Sequence, residues 1–186
     1  MKSQLVELCL KNCYNKNIKF KGDIAMYDIE KMLLEGRTIF PIVNTKGEVC
    51  GAIGRIPKMK HGQAKYVLRG NGFIGDILTE DKTIILTEFG CIDVLLSQIK
   101  KISNVIGYAG ISMSDEDIMF FKEKDKNVIL FFDQDECGRK AAKNVAERMK
   151  LFGINVYVFE TDEALDMSDY LLKGKSVEDI MKIVDK

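Results

Sequence analysis

The sequence of 186 residues lacks the features that mark several common protein classes. No apolar run is long enough to cross a membrane, and Lys2, Glu7 and Lys11 interrupt the first apolar stretch, which argues against a signal peptide. The five cysteines are an odd number without C-x-x-C spacing, so neither a disulfide framework nor a zinc ribbon is predicted. We therefore expect a cytoplasmic protein without membrane contact, with most of its cysteines buried.

The sequence also has a single histidine and no formal net charge. The one histidine, His61, lies in a polar segment without Cys or His partners at ligand spacing and is interpreted as a surface residue. The formal net charge is zero, but residues 1–79 carry 13 Lys and Arg against 7 Asp and Glu, whereas residues 80–186 carry 15 against 21. A basic part suits phosphate backbones and an acidic part can concentrate divalent cations. The alternative is that this segregation serves solubility alone.

The pattern of apolar residues also divides the chain at residues 79 and 80. In the first part it predicts a small mixed α+β subdomain, with a hairpin turn at Gly47 and a linker at Gly70–Gly75, where three of six residues are glycine. The predicted helices are Leu5–Tyr14 and Ile24–Leu34, and the predicted strands are Thr38–Val43, Val49–Ile56 and Lys65–Leu68.

The second part alternates strands with helices, which predicts an α/β domain built on a parallel sheet with helices on both faces. The predicted strands are Thr83–Thr87, Asn104–Tyr108, Asn127–Phe132 and Asn155–Phe159. The predicted helices are Ile92–Ile102, Ser114–Phe121, Cys137–Phe152, Ser168–Leu172 and Ser176–Val184.

Acidic residues follow several of these predicted strands. Five apolar residues, 128–132, run directly into Asp133-Gln-Asp135, and side chains two apart on an extended backbone point the same way. The two carboxylates could share a magnesium ion, or an aspartate could instead cap the following helix. Glu88 ends the first strand of this part, and Asp166 and Asp169 follow the last. Because ligands bind at the carboxyl ends of parallel strands, the convergence favours a metal site.

These segments resemble a known family. Thr87–Asp93, Leu130–Ala142 and Asp166–Leu171 are similar to the TOPRIM domain, and most similar to that of DnaG-type DNA primases of bacteria and bacteriophages. Arg37–Ile42, Gly47, Gly54-Arg55 and Lys65-Tyr66 resemble the amino-terminal subdomain of the primase RNA-polymerase region. The resemblance covers residues 36–175 and implies a TOPRIM-type sheet over residues 80–186 behind a basic primase-like subdomain over residues 1–79.

The resemblance implies synthesis of RNA primers from nucleoside triphosphates on single-stranded DNA, with Mg²⁺ or Mn²⁺ as cofactor. The chain would act with a replicative helicase or a separate zinc-binding module. The implied catalytic and metal-binding residues are Glu88, Asp133 and Asp135, with Asp169 as a further metal ligand. The implied nucleic-acid or nucleotide contacts are Arg37, Arg55, Lys65, Tyr66, Arg69 and Arg139, although Tyr66 could instead pack inward from its strand.

The sequence departs from the family pattern at four places. Between Glu88 and Asp93 there is one residue more than in the family's Glu-Gly-x-x-Asp, so either a bulge at Phe89 or Cys91 keeps Glu88 in place or the glutamate has been lost. The amino-terminal zinc-binding domain is not recognisable. Val67-Leu68 stands where the family has an asparagine after Lys-Tyr, and its Lys-Gly segment is not found around Phe73–Asp76.

Three other functions remain open from the residues alone. A TOPRIM nuclease would use the same carboxylates to direct water at a phosphodiester, and a catalytically degenerate module would bind nucleic acid or a protein partner without turnover. A haloacid-dehalogenase-type phosphatase also has Asp-x-Asp after a strand. That motif normally lies on the first strand and continues with Thr or Val, whereas here Glu136-Cys137 follows on the third strand.

Overall fold

A computed structural model describes residues 31–32, 35–59, 62–110 and 112–184. The helices predicted at Leu5–Tyr14 and Ile24–Leu34 lie outside the described residues, apart from residues 31–32, which are helical, and so does His61. The chain forms two compact units, one ending at Phe73 and the other beginning at Ile74. The domain boundary between residues 79 and 80 stays a prediction.

The first unit contains an antiparallel sheet. Its strands are β1 (Thr38–Val43), β2 (Val49–Arg55), β3 (Tyr66–Arg69) and β4 (Gly72–Ile74), in the order β3-β2-β1-β4. The turn between β1 and β2 is closed by hydrogen bonds between Asn44 and Glu48 and by Gly47, whose φ of 74° favours glycine. The predicted hairpin with its turn at Gly47 is therefore confirmed.

The glycine-rich segment predicted as a linker contains a strand instead. β4 pairs with β1 through Phe73 and Val43, and Phe73 is fully buried. A Cβ atom at Gly72 would lie 2.6 Å from the carbonyl oxygen of Val43, so this glycine allows the two backbones to approach. The expectation that this segment lacks regular structure was wrong because glycine was interpreted only as a residue that breaks it, but the division between the two compact units does fall within the segment.

The second unit alternates strands and helices as the sequence predicts. Its strands are β5 (Thr83–Glu88), β6 (Val105–Ala109), β7 (Asn127–Leu130) and β8 (Val156–Val158). Its helices are α1 (Cys91–Ile99), α2 (Asp115–Glu123), α3 (Glu136–Leu151), α4 (Met167–Leu172) and α5 (Val177–Met181). None of the helices in the described part of the chain is long and apolar enough to span a membrane.

The four strands of this unit form a parallel sheet in the order β6-β5-β7-β8. Ile85, Leu86 and Ile129 have no exposed surface, and residues 83–87 are buried without alternation, as expected for strands covered on both faces. α1 packs on β6 and α4 on α1, whereas α3 packs on β8. The predicted α/β architecture is confirmed, and the carboxyl ends of β5 and β7 lie side by side.

Three of the five cysteines lie within the described residues, and they differ in burial. Cys91 is buried and Cys50 half-buried, but Cys137 is exposed in the first turn of α3. Gly138 and Ala142 occupy the face of α3 that meets the sheet, so the helix presents Cys137 to solvent. That most of the five cysteines are buried stays a prediction.

Candidate active site

Three carboxylates that the sequence singled out lie close enough to influence one another. Glu88 is the last residue of β5 and is half-buried, whereas Asp133 and Asp135 are exposed in the turn that joins β7 to α3. Burial raises the pKa of Glu88, and the negative charges of Asp133 and Asp135 raise it further. We call these three residues the acidic cluster. Their mutual repulsion would be relieved by a bound cation.

Asp135 also begins α3. Its Oδ1 atom accepts a 2.8 Å hydrogen bond from the backbone N–H of Gly138, which makes Asp135 the N-cap of the helix. The capping role that the sequence left open is therefore present. Because a carboxylate has two oxygens with several acceptor positions, this bond is compatible with a second role in metal binding.

Gly138 fixes the distance between α3 and the turn that precedes it. A Cβ atom at this position would lie 2.1 Å from the carbonyl oxygen and 3.0 Å from the Cβ atom of Asp133. No side chain fits there without displacing the backbone of Asp133. The glycine therefore allows the first turn of the helix to rest directly on the residue that carries one of the three carboxylates.

The extra residue after Glu88 is accommodated in a tight turn. Phe89 has a φ of 51° and Gly90 a φ of 35°, and the N–H of Gly90 donates to the carbonyl of Glu88 at 2.5 Å. Glu88 itself remains in register with Tyr108 of β6. The turn absorbs Phe89 and leaves Glu88 at the strand end beside the two aspartates, as the bulge hypothesis expects. Whether Glu88 acts in catalysis stays a prediction.

The two aspartates after the last strand lie at the start of α4. Asp166 is the N-cap and accepts a 2.7 Å hydrogen bond from the N–H of Asp169, and Asp169 in turn accepts one from the N–H of Leu165 at 2.9 Å. Asp169 also pairs with Lys173 at 2.8 Å, and this hydrogen bond lowers the pKa of Asp169. Asp169 thus lies in the first turn of α4, bonded to Leu165 and Lys173, and its role as a metal ligand stays a prediction.

Arg139, predicted to bind nucleotides, contacts the chain itself. Its guanidinium donates to the carbonyl of Gln134 at 3.0 Å, to the carbonyl of Thr161 at 3.2 Å and to Asp162 at 2.7 Å. Its side chain is 30% exposed. The structure shows an arginine that joins two loops near the acidic cluster, and a contact with nucleotides stays a prediction.

Three of the predicted nucleic-acid residues form a group in the first unit. Arg55 and Tyr66 are direct partners on β2 and β3, and the Arg55 Nε atom lies 3.4 Å from the Tyr66 hydroxyl. The Lys65 Nζ atom lies 5.3 Å from the centre of the Tyr66 ring. Tyr66 is half-buried and Lys65 exposed. The group combines two cations with an aromatic ring, which is the composition of a surface that binds single-stranded nucleic acid.

The other two predicted residues of this unit lie on the opposite face of its sheet. The Arg37 side chain covers Gly54, where a Cβ atom would meet the Arg37 Cδ atom at 2.9 Å. Gly54 neighbours Arg55 on β2 and therefore faces the other way. Arg37 and Arg69 line the same cavity of about 330 Å³. The set predicted from the sequence is thus divided between two faces.

Arg37 is almost completely buried. It is 6% exposed, and its guanidinium donates to Glu35 at 2.7 Å, to the carbonyl of Ala64 at 3.0 Å and to that of Gly54 at 3.4 Å. These bonds join segments that are distant in the sequence. They give Arg37 a structural role, and its predicted contact with nucleic acid stays a prediction.

Most of the acidic second part of the chain is similar to a known protein family. The sequence of residues 85–171 matches the family described as Toprim-like. This segment contains Glu88, both aspartates of the turn and the capping pair of α4. Residues 85–171 are thus similar to this family, and we call them the Toprim-like domain below.

Similarity to DNA primases extends beyond the Toprim-like domain. The chain is 28% identical over 161 residues to a DNA primase of Staphylococcus epidermidis and 27% identical over 148 residues to that of Staphylococcus aureus. These matches cover 81% and 74% of this chain but only 27% and 24% of the staphylococcal proteins. The chain thus spans about a quarter of the length of these primases.

Solved primase structures have the same fold. The zinc-binding and RNA-polymerase domains of the Aquifex aeolicus primase match with a TM-score of 0.66 and 23% identity, over 80% of this chain and 40% of that one. A DnaG primase catalytic domain bound to single-stranded DNA matches with a TM-score of 0.65 and 22% identity, over 80% and 52%. The predicted resemblance to the catalytic core of DnaG-type primases is confirmed for the fold.

The Toprim-like domain contains a buried carboxylate that was not among the predicted site residues. Asp93 in α1 is 7% exposed and accepts a 2.8 Å hydrogen bond from the N–H of Ser168. Burial and the charge of Asp166 raise the pKa of Asp93 to about 7, with a smaller contribution from Asp133. The sequence could have indicated Asp93, because it lies within an apolar helical segment, where burying a charge costs free energy unless the charge has a partner.

The Toprim-like domain offers oxygen donors of the kind that divalent cations prefer. The acidic cluster supplies three carboxylates whose like charges lie near one another, and such a set fits Mg²⁺ or Mn²⁺ in charge and chemistry. Within the described ranges, no three acidic, histidine or cysteine side chains are already arranged to hold one metal ion. The carboxylate oxygens are suitable ligands for a divalent cation, but the three side chains must move closer together to bind one ion.

Proposed function

We propose that this chain is a DNA-primase-like nucleotidyltransferase that synthesises RNA primers from nucleoside triphosphates on a single-stranded DNA template. The observation that carries the proposal is the acidic cluster at the carboxyl ends of β5 and β7, in a chain that also matches DNA primases over 74 to 81% of its length. The occurrence of both features in one chain favours a polymerase over an isolated nuclease domain.

In this proposal Glu88, Asp133 and Asp135 hold Mg²⁺ or Mn²⁺, with Asp169 as a further ligand after release from Lys173. A divalent cation bound there would stabilise the attacking and leaving oxygens of phosphoryl transfer. Asp133 and Asp135 suit this role because they are exposed beyond the carboxyl end of β7. Glu88 has a raised pKa, which suits a group that exchanges a proton or gains its charge on cation binding.

The template is proposed to lie on the group of Arg55, Lys65 and Tyr66. An arginine fork matches phosphate oxygens, a lysine provides a point charge, and a half-buried tyrosine offers a ring on which a base can stack. Arg69 is exposed and Arg139 lies near the acidic cluster, so both are retained as proposed contacts with nucleic acid or triphosphate. A replicative helicase and a separate zinc-binding module are the proposed protein partners.

The proposal is tested by incubating the chain with labelled nucleoside triphosphates, single-stranded DNA and Mg²⁺ or Mn²⁺. Short RNA products are expected from the wild type, and their loss is expected in Asp133→Ala and Glu88→Gln. Glu147→Ala is the matched control, because it removes an exposed carboxylate from α3 away from the site. Template degradation with the same sensitivity would identify a nuclease, and DNA binding without turnover would identify a degenerate module.

A further inference from the structure

Gln134, the residue between the two aspartates, makes three hydrogen bonds with its side chain. Its side-chain amide donates to the carbonyl of Phe132 at 2.7 Å and to that of Phe159 at 3.5 Å. The Oε1 atom of the same amide accepts from the backbone N–H of Thr161 at 2.9 Å. One half-buried side chain thus connects the end of β7 with the segment that follows β8.

The backbone of Gln134 takes part in the same connection. Its N–H donates to the carbonyl of Leu165 at 2.7 Å, and its carbonyl accepts from Arg139 at 3.0 Å. Leu165 in turn donates its N–H to Asp169. The turn of Asp133 and Asp135 is therefore attached to the loop 159–165, and through Leu165 to the cap of α4.

This attachment counters a specific physical problem. Asp133 and Asp135 are exposed, lie outside regular structure, and are near the negative charge of Glu88. Repulsion would favour turn conformations in which the carboxylates point apart. A neutral amide can restrain the turn by donating and accepting at once without adding charge. Glutamate would add a fourth negative charge, and an apolar side chain would make none of these bonds.

We propose that Gln134 is a positioning residue that holds Asp133 and Asp135 in the arrangement from which they bind the cation. This inference rests on the proposed function of the same site. Gln134 does not itself contact the reacting groups. It acts by joining the turn to the loop 159–165, so that the carboxylates need little further ordering when a cation binds.

The test compares Gln134→Met, which keeps the length of the side chain but removes its amide, with Gln98→Met, an exposed glutamine of α1. The Mg²⁺ concentration that gives half-maximal primer synthesis is expected to rise about 10- to 100-fold in Gln134→Met and to stay unchanged in Gln98→Met. Saturating Mg²⁺ is expected to restore most of the rate in Gln134→Met but not in Asp133→Ala.

Direct binding of Mn²⁺, followed by electron paramagnetic resonance, should weaken in parallel. Gln134→Asn is the second variant: it keeps a neutral amide but is one methylene shorter, so it cannot reach Phe132, Phe159 and Thr161 together, and it too is expected to require more metal. Thermal unfolding of each variant shows whether it is folded. If Gln134→Met does not fold, Gln134→Asn carries the comparison.

The results separate the two proposals. A wild-type chain that makes primers, with unchanged metal dependence in the folded Gln134 variants, would overturn the role of Gln134 alone. A wild-type chain that neither binds Mn²⁺ nor makes primers would overturn the proposed function and the inference together. A reduced rate at saturating Mg²⁺ with unchanged metal affinity would also contradict positioning of the metal ligands.

Discussion

The Asp93 carboxylate accepts a 2.8 Å hydrogen bond from the backbone N–H of Ser168, and this bond joins α1 to the first turn of α4. Asp93 is buried between the two helices with Asp166 and Asp133 as acidic neighbours. The attachment therefore places a titratable group where its negative charge is costly. Its protonation should affect how strongly the two helices are held together.

The stability of the folded chain should fall as the pH rises from about 4 to about 7. Burial raises the pKa of Asp93 to about 7 from the 3.8 of an exposed aspartate, so in this interval the folded state binds more protons than the unfolded state. The free energy of unfolding is highest below the unfolded-state pKa and decreases by up to about 4 kcal/mol as Asp93 ionises. Urea denaturation at several pH values in EDTA measures this slope.

Asp93→Asn should remove most of the pH dependence of the free energy of unfolding. The amide oxygen can still accept from Ser168, but it carries no charge at any pH, so the variant should be more stable than the wild type at pH 8. The raised pKa of Glu88 leaves a smaller slope of the same sign. Identical slopes in the two proteins would show that Asp93 is not the titrating group.

Gly138→Ala should weaken both folding and metal binding. The added methyl group would lie 2.1 Å from the Asp133 carbonyl oxygen, so the backbone of the turn must move. The expected loss is about 3 kcal/mol of unfolding free energy, at the upper end for overpacking, with a weaker affinity for Mn²⁺. Gly174→Ala is the control: an added Cβ atom there has no neighbour within 4 Å, so the φ of 76° should cost only roughly 1 kcal/mol and the affinity for Mn²⁺ should not change. Equal effects of both substitutions would contradict the steric argument.

The two faces of the first unit should respond differently to alanine. Tyr66→Ala and Arg55→Ala should each weaken binding of single-stranded DNA by about tenfold with little loss of stability, since stacking on one base contributes about 1–3 kcal/mol. Arg37→Ala should instead lower the unfolding free energy by about 3 kcal/mol, because it removes a buried cation and leaves the buried carbonyl of Gly54 and the Glu35 carboxylate without their donor.

Fluorescence anisotropy with labelled oligonucleotides and denaturant titration of each variant check this division. Lys46→Ala in the exposed turn between β1 and β2 controls for the loss of one positive charge. A stable Arg37→Ala protein that has lost DNA binding would reverse the assignment of the two faces.

Lys101→Gly should stabilise the chain. Lys101 follows the C-cap of α1 with a φ of 62°, a conformation that costs a residue with a Cβ atom roughly 1 kcal/mol, and its side chain is exposed. The free energy of unfolding should therefore rise by about 1 kcal/mol. Lys100→Gly, at a φ of −82°, should give no gain, and thermal unfolding distinguishes the two variants.

Much of the second unit could be predicted from the sequence because local patterns and the fold agree there. Unbroken apolar runs gave the strands, the spacing of Gly138, Ala142 and Met149 gave the buried face of α3, and the acidic residues at strand ends gave the site. The first unit was harder. Gly72 looked like a break in regular structure, and only the pairing of β4 with β1 shows that it allows the two strands to approach closely.

The site residues show the same limit. Asp133 and Asp135 follow an apolar strand, and such an arrangement is visible in the order of residues alone. The placement of Asp93 beside Asp166, the bonds of Gln134 and the separation of Arg37 from Arg55 depend on contacts between distant segments. Local composition does not encode which segments meet.

The order of residues was enough to predict the alternation of strands and helices, the carboxylates at the ends of β5 and β7, and the resemblance to primases, because apolar periodicity and short motifs are local properties. Three features could be seen only in the folded chain: the Phe89 turn leaves Glu88 near the two aspartates, Asp169 is bonded to Leu165 and Lys173 in the first turn of α4, and the basic residues occupy two faces of one sheet. These outcomes follow from the register of strands and from hydrogen bonds across loops, which form only when the chain has folded.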